Sequence, residues 1–313
     1  AASYLGGGNI GFIVFWLKLF IFVVDIGLIY LLILFLRKLN LKQSLAQIYA
    51  LNPLVIIELT GNIHFEGVML FFFAFALYFI YNNRILFGSI ALGMAISVKL
   101  IPLLFLPLFL PFLGFARSTK LYLGVAVTFC FLLLPFLSQT LISNFSQSLE
   151  LYFQTFEFNA SFYYVLKSIS YFFLGYKSSV IGTIIPIFIL LFSIVLTAVL
   201  YRKKLKKFDL VLFSKFAGFL LFVFYLFAST VHPWYLVNVV FLSVFLAYRT
   251  FLVWSIVSFI SYFAYSSFVS QYAAYQDFHQ FNWYYILIGI EYVIVLFLFT
   301  FETINVKKNS LKK

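Results

Sequence analysis

In "NPLVIIELTGNIHFEGVML", residues Asn52 to Leu70, the side chains of Glu58, Asn62, His64 and Glu66 crowd around one short turn between two apolar runs. The whole chain of 313 residues has only nine acids and three histidines, so two acids and a histidine at one turn concentrate its chemistry. Glu58 and Asn62, four apart, share a helical face, while His64 and Glu66 open the next helix. An acid in a first helical turn is stabilised by the helix dipole, which explains Glu66 without any function. Glu58 has no such explanation, because it ends an apolar helix where an unpaired charge is costly. Lys99, in "AISVKLIPLL", is as isolated. It either snorkels to the surface or serves an anionic group near the outer leaflet. A third cluster, "STVHPWYLVN" (Ser229 to Asn238), joins His232 to Trp234 and Tyr235. Trp and Tyr are ordinary at a membrane interface; a histidine beside Pro233 at a helix start is less so. Asp25 and Glu291 are acids inside apolar runs, each open to pairing with a neighbouring helix, and Asp277 and His279 lie in a wet loop where solvation suffices. Outer-face His and Glu residues so far apart in sequence give a weak zinc signal, and no metal is expected. The sequence has no Gly-rich phosphate cradle, HExxH or GxSxG.

The elements that must position these residues are membrane helices. The chain is 65% hydrophobic and 10% charged, with a mean hydropathy of +1.08, far from the roughly one-quarter charged residues of an average globular chain. Eleven apolar segments are predicted, at about 10–36, 43–60, 66–82, 85–98, 101–114, 119–137, 179–201, 208–228, 233–247, 251–268 and 284–304. Of the 21 Lys and Arg, 16 fall in alternate connections, from Arg37, Lys38 and Lys42 to the run at 202–207 and the C-terminal lysines. Those connections are therefore expected on the cytoplasmic side, and the polar clusters on the other. This location of the cations argues against nucleic acid as a partner. The lone cysteine, Cys130, lies in an apolar run, so no disulfide framework is expected. Two features break the pattern. Segments 85–98 and 101–114 are each ~21 Å long at ~1.5 Å per residue, short of a ~30 Å hydrocarbon core, and they meet at Lys99–Pro102. The connection 138–178 is aromatic-rich and too long for a passive link; Leu141, Phe145, Leu149 and Phe153 recur at helical spacing, so helices lying along the outer surface are expected there.

At "LNPLVIIELTGNIHFEG", "AISVKLIPLLFLPLFL" and "TVHPWYL" the sequence resembles bacterial GT-C superfamily membrane glycosyltransferases, in particular the mannosyltransferase-like members that use a polyprenyl-phosphate sugar donor. The resemblance implies an all-α, polytopic GT-C-like bundle, here one membrane-embedded domain over 1–313 with about eleven membrane helices and a partly helical outer-face loop. It implies inverting transfer of a hexose, mannose by resemblance, from the polyprenyl phosphate to a lipid or glycan acceptor. Asn62, His64 and Glu66 match the family's His/acid turn, Lys99 its short-helix lysine and His232 its later histidine. Lys99 and His232 are thus expected at the donor phosphate, and Glu58, Asn62, His64, Glu66, Trp234 and Tyr235 at the sugar or acceptor. No cofactor is expected beyond the donor substrate. The family's general base is an acid in the first outer loop, and "AASYLGGGNIGF" looks like the tail of that loop. A first helix and loop are therefore expected ahead of Ala1, and the 313-residue form alone is expected to be inactive. The expected location is the bacterial cytoplasmic membrane, with the site facing outward. The rival class is a lipid or solute transporter or flippase, which paired halves would favour; none is evident in the sequence.

Overall fold

A computed structural model describes residues 7–150, 156–176, 180–203, 205, 207–246, 248–265 and 283–310. Its elements are helices: α1 (Ile10–Lys38), α2 (Pro53–Gly61), α3 (Glu66–Tyr81), α4 (Ile85–Val98), α5 (Ile101–Leu113), α6 (Phe115–Phe136), α7 (Gln139–Glu150), α8 (Phe162–Leu174), α9 (Val180–Tyr201), α10 (Leu210–Phe227), α11 (Pro233–Ser243), α12 (Thr250–Tyr265) and α13 (Trp283–Ser310). Short helical turns at 43–50 precede α2. Among the described residues extended pairing is limited to one isolated bridge, Phe158 with Thr230.

By length and hydropathy α1, α6, α9, α10 and α13 can each cross a membrane, and α2 with α3 makes a sixth candidate bent by 110° at the break. The predicted segments are helical and in order, but α4, α5, α11 and α12 are too short to qualify alone. The molecule is an all-helical membrane protein with five or six candidate spans among the described residues. The 138–178 connection contains α7 and α8; its residues 151–155 and 177–178, like Asp277 and His279, lie outside the described residues.

Local chemistry sets the helix ends. Asn52 caps α2 by accepting from the Leu54 N–H at 2.9 Å, with Pro53 in the first turn. Its amide also donates to Ser255 Oγ at 2.9 Å, which ties α2 to α12. Asp209 caps α10 through the Leu212 N–H. α4 lies between α3 and α6, and small residues allow the close approach. A Cβ on Gly93 would lie 2.6 Å from the Thr128 Cβ, and one on Gly124 would strike Ser89. The antiparallel run of α3 and α4 brings the end of α4 beside the start of α3. The core is one large cluster in which Phe73, Phe109, Phe213, Phe241 and Trp254 are fully or almost fully buried.

Candidate active site

The break between α2 and α3 builds the first wall. The last turn of α2 is a π-turn over Ile56–Gly61, a feature frequent at functional sites, and the Asn62 N–H reaches the Ile57 carbonyl at 2.9 Å. Ile63 then takes φ = 60°, left-handed backbone that a β-branched side chain rarely adopts. The His64 N–H closes the turn on the Glu58 carbonyl at 3.1 Å. This strained reversal puts Glu58, His64 and Glu66 on one side of the bundle end.

Both glutamates are fully buried, at 0% exposure, so each needs partners. Glu58 Oε1 accepts from the Tyr262 hydroxyl at 2.7 Å and Oε2 from the Asn62 amide at 3.1 Å. His64 Nε2 lies 3.5 Å from Oε2. Glu66 Oε1 takes the Lys99 ammonium, while its Oε2 is buried without a partner. Lys99 can reach because α4 stops at Val98. The lysine itself is extended (φ −151°, ψ 144°), and α5 restarts within two residues, with Pro102 in its first turn. The Lys99 Nζ also lies 5.9 Å from the Tyr235 ring centre.

The turn leading into α11 supplies the second wall. Trp234 is sandwiched, with the His64 ring stacked at 3.9 Å and the His232 ring at 4.1 Å. Phe158 covers the far side of His232 at 4.6 Å. A strap fixes that turn: the Phe158 N–H donates to the Ser229 carbonyl, the Val231 N–H to the Phe158 carbonyl, and the Thr230 hydroxyl to the Phe156 carbonyl. His232 is only 6% exposed and its Nδ1 has no hydrogen-bond partner. Beneath the wall, the Tyr225 hydroxyl donates to the Tyr235 carbonyl at 3.0 Å, and the Asn238 amide donates to the same carbonyl at 2.8 Å.

Burial pushes both imidazoles down to about 4: His64 by desolvation and then the Lys99 charge, even with Glu58 alongside, and His232 by desolvation, then His64 and Lys99. Both are neutral at pH 7. Each then offers a ring N–H or a ring nitrogen rather than a positive charge. Trp234 likewise offers no free face, because an imidazole covers each side.

Glu58, Asn62, His64, Glu66, Lys99, His232, Trp234 and Tyr235 thus lie together in one cluster. They meet at the end of the bundle opposite the connections that hold Arg37, Lys38 and Lys42, Arg84, Arg117 and Lys120, and Arg202 and Lys203. Asp25 and Glu291 take structural partners instead. Asp25 accepts from the Tyr49 hydroxyl at 2.8 Å, and Glu291 Oε1 accepts from the Asn159 amide and the Trp254 indole N–H. Sequence reasoning missed Tyr262, whose hydroxyl holds Glu58 from 204 residues away. In "SFISYFAY" it reads as one more interfacial aromatic.

Residues 1–116 match the family model described as MptA_B family, alpha-(1->6)-mannopyranosyltransferase, N-terminal domain. The match covers Glu58, Asn62, His64, Glu66 and Lys99, ends before His232, and supports a mannosyltransferase-like membrane glycosyltransferase. No curated protein and no solved structure matches the chain.

Proposed function

We propose that this chain serves in the transfer of a hexose, mannose by its family match, from a polyprenyl-phosphate donor to a lipid or glycan acceptor. The reaction is an inverting displacement: the acceptor hydroxyl gives its proton to the carboxylate base that the family resemblance implies, its oxygen bonds to the anomeric carbon, the bond to the phosphate oxygen breaks, and the lipid phosphate leaves with the electron pair. The observation that carries this reading is a lysine ammonium held between a buried carboxylate and a wall of neutral imidazoles, within reach of solvent at 28% exposure. An ammonium has three donors, so Lys99 can keep Glu66 and still take a phosphate oxygen. Charge developing on that oxygen as the bond breaks is the charge Lys99 would stabilise. His232 would add a neutral N–H donor, and Glu58 with Asn62 and His64 would hold sugar or acceptor hydroxyls. The gap left by short α4 and α5 at Lys99–Pro102 would admit the donor's lipid chain. The site would lie outside the cytoplasm, a reading supported by the cation-rich connections at the opposite end of the bundle.

The test is donor choice. The chain in nanodiscs is titrated with polyprenyl-phosphate mannose, polyprenyl phosphate and GDP-mannose, and membranes containing it are assayed for mannosylated product. Binding of both lipid phosphates, lost in Lys99→Ala, with no binding of the nucleotide sugar, is expected. Preference for GDP-mannose would overturn the proposed donor; movement of lipid across the bilayer without sugar transfer would make the protein a flippase.

A further inference from the structure

At the far end of α5 from Lys99, α5, α6 and α9 leave an apolar groove of about 540 Å³, within the ~300–1,000 Å³ range of ligand pockets. Its walls are Leu106, Pro107 and Leu110 of α5, Tyr122 of α6, and Ile194, Thr197, Ala198 and Tyr201 of α9. The α9 residues recur at i, i+3, i+4 and i+7, which is one continuous helical face. Two observations set this groove apart from an ordinary lipid-facing seam. Thr197 is 7% exposed and its hydroxyl has no partner, although a helical threonine can ordinarily donate to the carbonyl four residues back. The other hydroxyl deep in the groove, Tyr122, is already given to the Leu106 carbonyl at 2.9 Å. Cations also follow the groove-lining stretch of α9 in sequence. The Arg202 N–H still bonds to the Ala198 carbonyl at 3.3 Å, so Arg202 lies one turn beyond Ala198 on the groove face. Lys203 follows it, with its Nζ 5.9 Å from the ring centre of Phe216 on α10. The acid nearest in sequence, Asp209, is occupied in capping α10.

We infer that this groove binds an anionic glycerophospholipid from the leaflet at the cation-rich face. One acyl chain lies along Leu106, Leu110 and Ile194, the Thr197 hydroxyl donates to an ester carbonyl, and Arg202 and Lys203 meet the phosphate. Thr197 and Arg202 are ~7.5 Å apart along the helix at ~1.5 Å per residue, a span that glycerol ester and phosphate can bridge with the arginine side chain. The ester contact favours a diacyl lipid over a prenyl chain, which has no carbonyl to accept from Thr197. Basic pockets between membrane helices are a known setting for acidic headgroups.

The test titrates the intact chain in detergent with phosphatidylglycerol, phosphatidylcholine and a polyprenyl phosphate, reading bound lipid by native mass spectrometry and the thermal midpoint. Phosphatidylglycerol is expected to bind and to raise the midpoint more than phosphatidylcholine. Arg202→Gln with Lys203→Gln should weaken it by roughly 5-fold per cation removed. Thr197→Val should weaken it while keeping the side-chain shape, and Ala198→Trp should fill the groove and abolish it. The two milder variants keep the test open if the tryptophan variant does not fold. Equal binding of the two phospholipids, undiminished phosphatidylglycerol binding in Thr197→Val and the double variant, or displacement of phosphatidylglycerol by polyprenyl phosphate would each overturn the assignment.

Discussion

Glu66 and Glu291 are both glutamates at 0% exposure with one carboxylate oxygen lacking a partner, yet they are held by different kinds of group. Glu291 lies between α12 and α13, where neutral donors, the Asn159 amide at 3.2 Å and the Trp254 indole at 3.0 Å, share its Oε1. Asn159 is itself fixed by its N–H to the Tyr284 oxygen and by the Tyr292 hydroxyl on its carbonyl. That node fastens the segment before α8 to α13. Glu66 is held by an ammonium that is partly open to solvent, next to a second buried acid and two imidazoles. Burial of an acid therefore does not mark a reactive site in this molecule. What sets Glu66 apart is the partly exposed ammonium that faces it.

The sharpest way to break the contrast is Lys99→Ala. Removing one partner of a buried ion pair leaves an uncompensated charge, typically costing ~3–5 kcal/mol, and losing a donor to developing charge costs ~10²–10³-fold in rate. Both effects are expected, in the thermal midpoint and in transfer or donor binding. The double variant Lys99→Ala/Glu66→Gln separates them. Stability should largely return because the stranded charge is gone, while donor affinity should not. Recovery of donor binding in the double variant would reduce Lys99 to a counter-ion for Glu66.

Next in size is Tyr262→Phe. A hydrogen bond to a charged group contributes ~1.5–3 kcal/mol, and Glu58 loses one of its grips while keeping Asn62. A fall in sugar or acceptor recognition of about tenfold is expected, with little change in the affinity for polyprenyl phosphate alone. An equal loss for the sugar-bearing and sugar-free lipids would mean that Glu58 does not face the sugar.

The helices were readable from sequence because long apolar runs and their punctuation, Asn52–Pro53 and Lys99–Pro102, are local signals. Convergence of the turn at Glu58–Glu66 with Lys99 was readable too, since α3 and α4 are joined by a tight turn and must run antiparallel. The grip of Tyr262 on Glu58 was not, because nothing in the sequence near either residue encodes contact across 204 positions. Nor was the state of His232. Its charge depends on how closely Phe158 and Trp234 seal it, and that sealing depends on a strap from a distant segment. The shortness of α4 and α5 was legible in the sequence, whereas α11 and α12, also too short to qualify as spans alone, read there like any other apolar run.

A smaller but distinctive effect concerns pH. Both imidazoles titrate near 4 in the folded protein and near ~6.5 when unfolded. The unfolded chain therefore takes up more protons between those values, and stability falls as pH drops from ~6.5 towards 4. Donor binding should stay level from about pH 6 to 8 and weaken only on the acid side. A decline between pH 6 and 8 would mean a charged histidine takes part after all. His232→Gln, which keeps a hydrogen-bonding side chain but cannot titrate, should flatten part of the acid loss.

The smallest expected effect is at Glu291, and it tests the other half of the comparison. Glutamine at 291 keeps the oxygen that accepts from Asn159 and Trp254. Its amide nitrogen replaces the oxygen that has no partner and can donate towards Asn159 Oδ1, which is also unpartnered. Nothing charged faces the site, so no ion pair is lost. Glu291→Gln should then change stability by less than ~1 kcal/mol, within the range of a single neutral hydrogen bond, and leave donor affinity unaltered. Trp254→Phe should be more damaging to stability than Glu291→Gln, because it takes a donor from a buried acceptor rather than exchanging one acceptor for another. If Glu291→Gln instead abolished donor binding while the thermal midpoint held, the charge between α12 and α13 would belong to the reaction. The distinction between an acid that fastens helices and an acid that works on a substrate would then have to be drawn elsewhere.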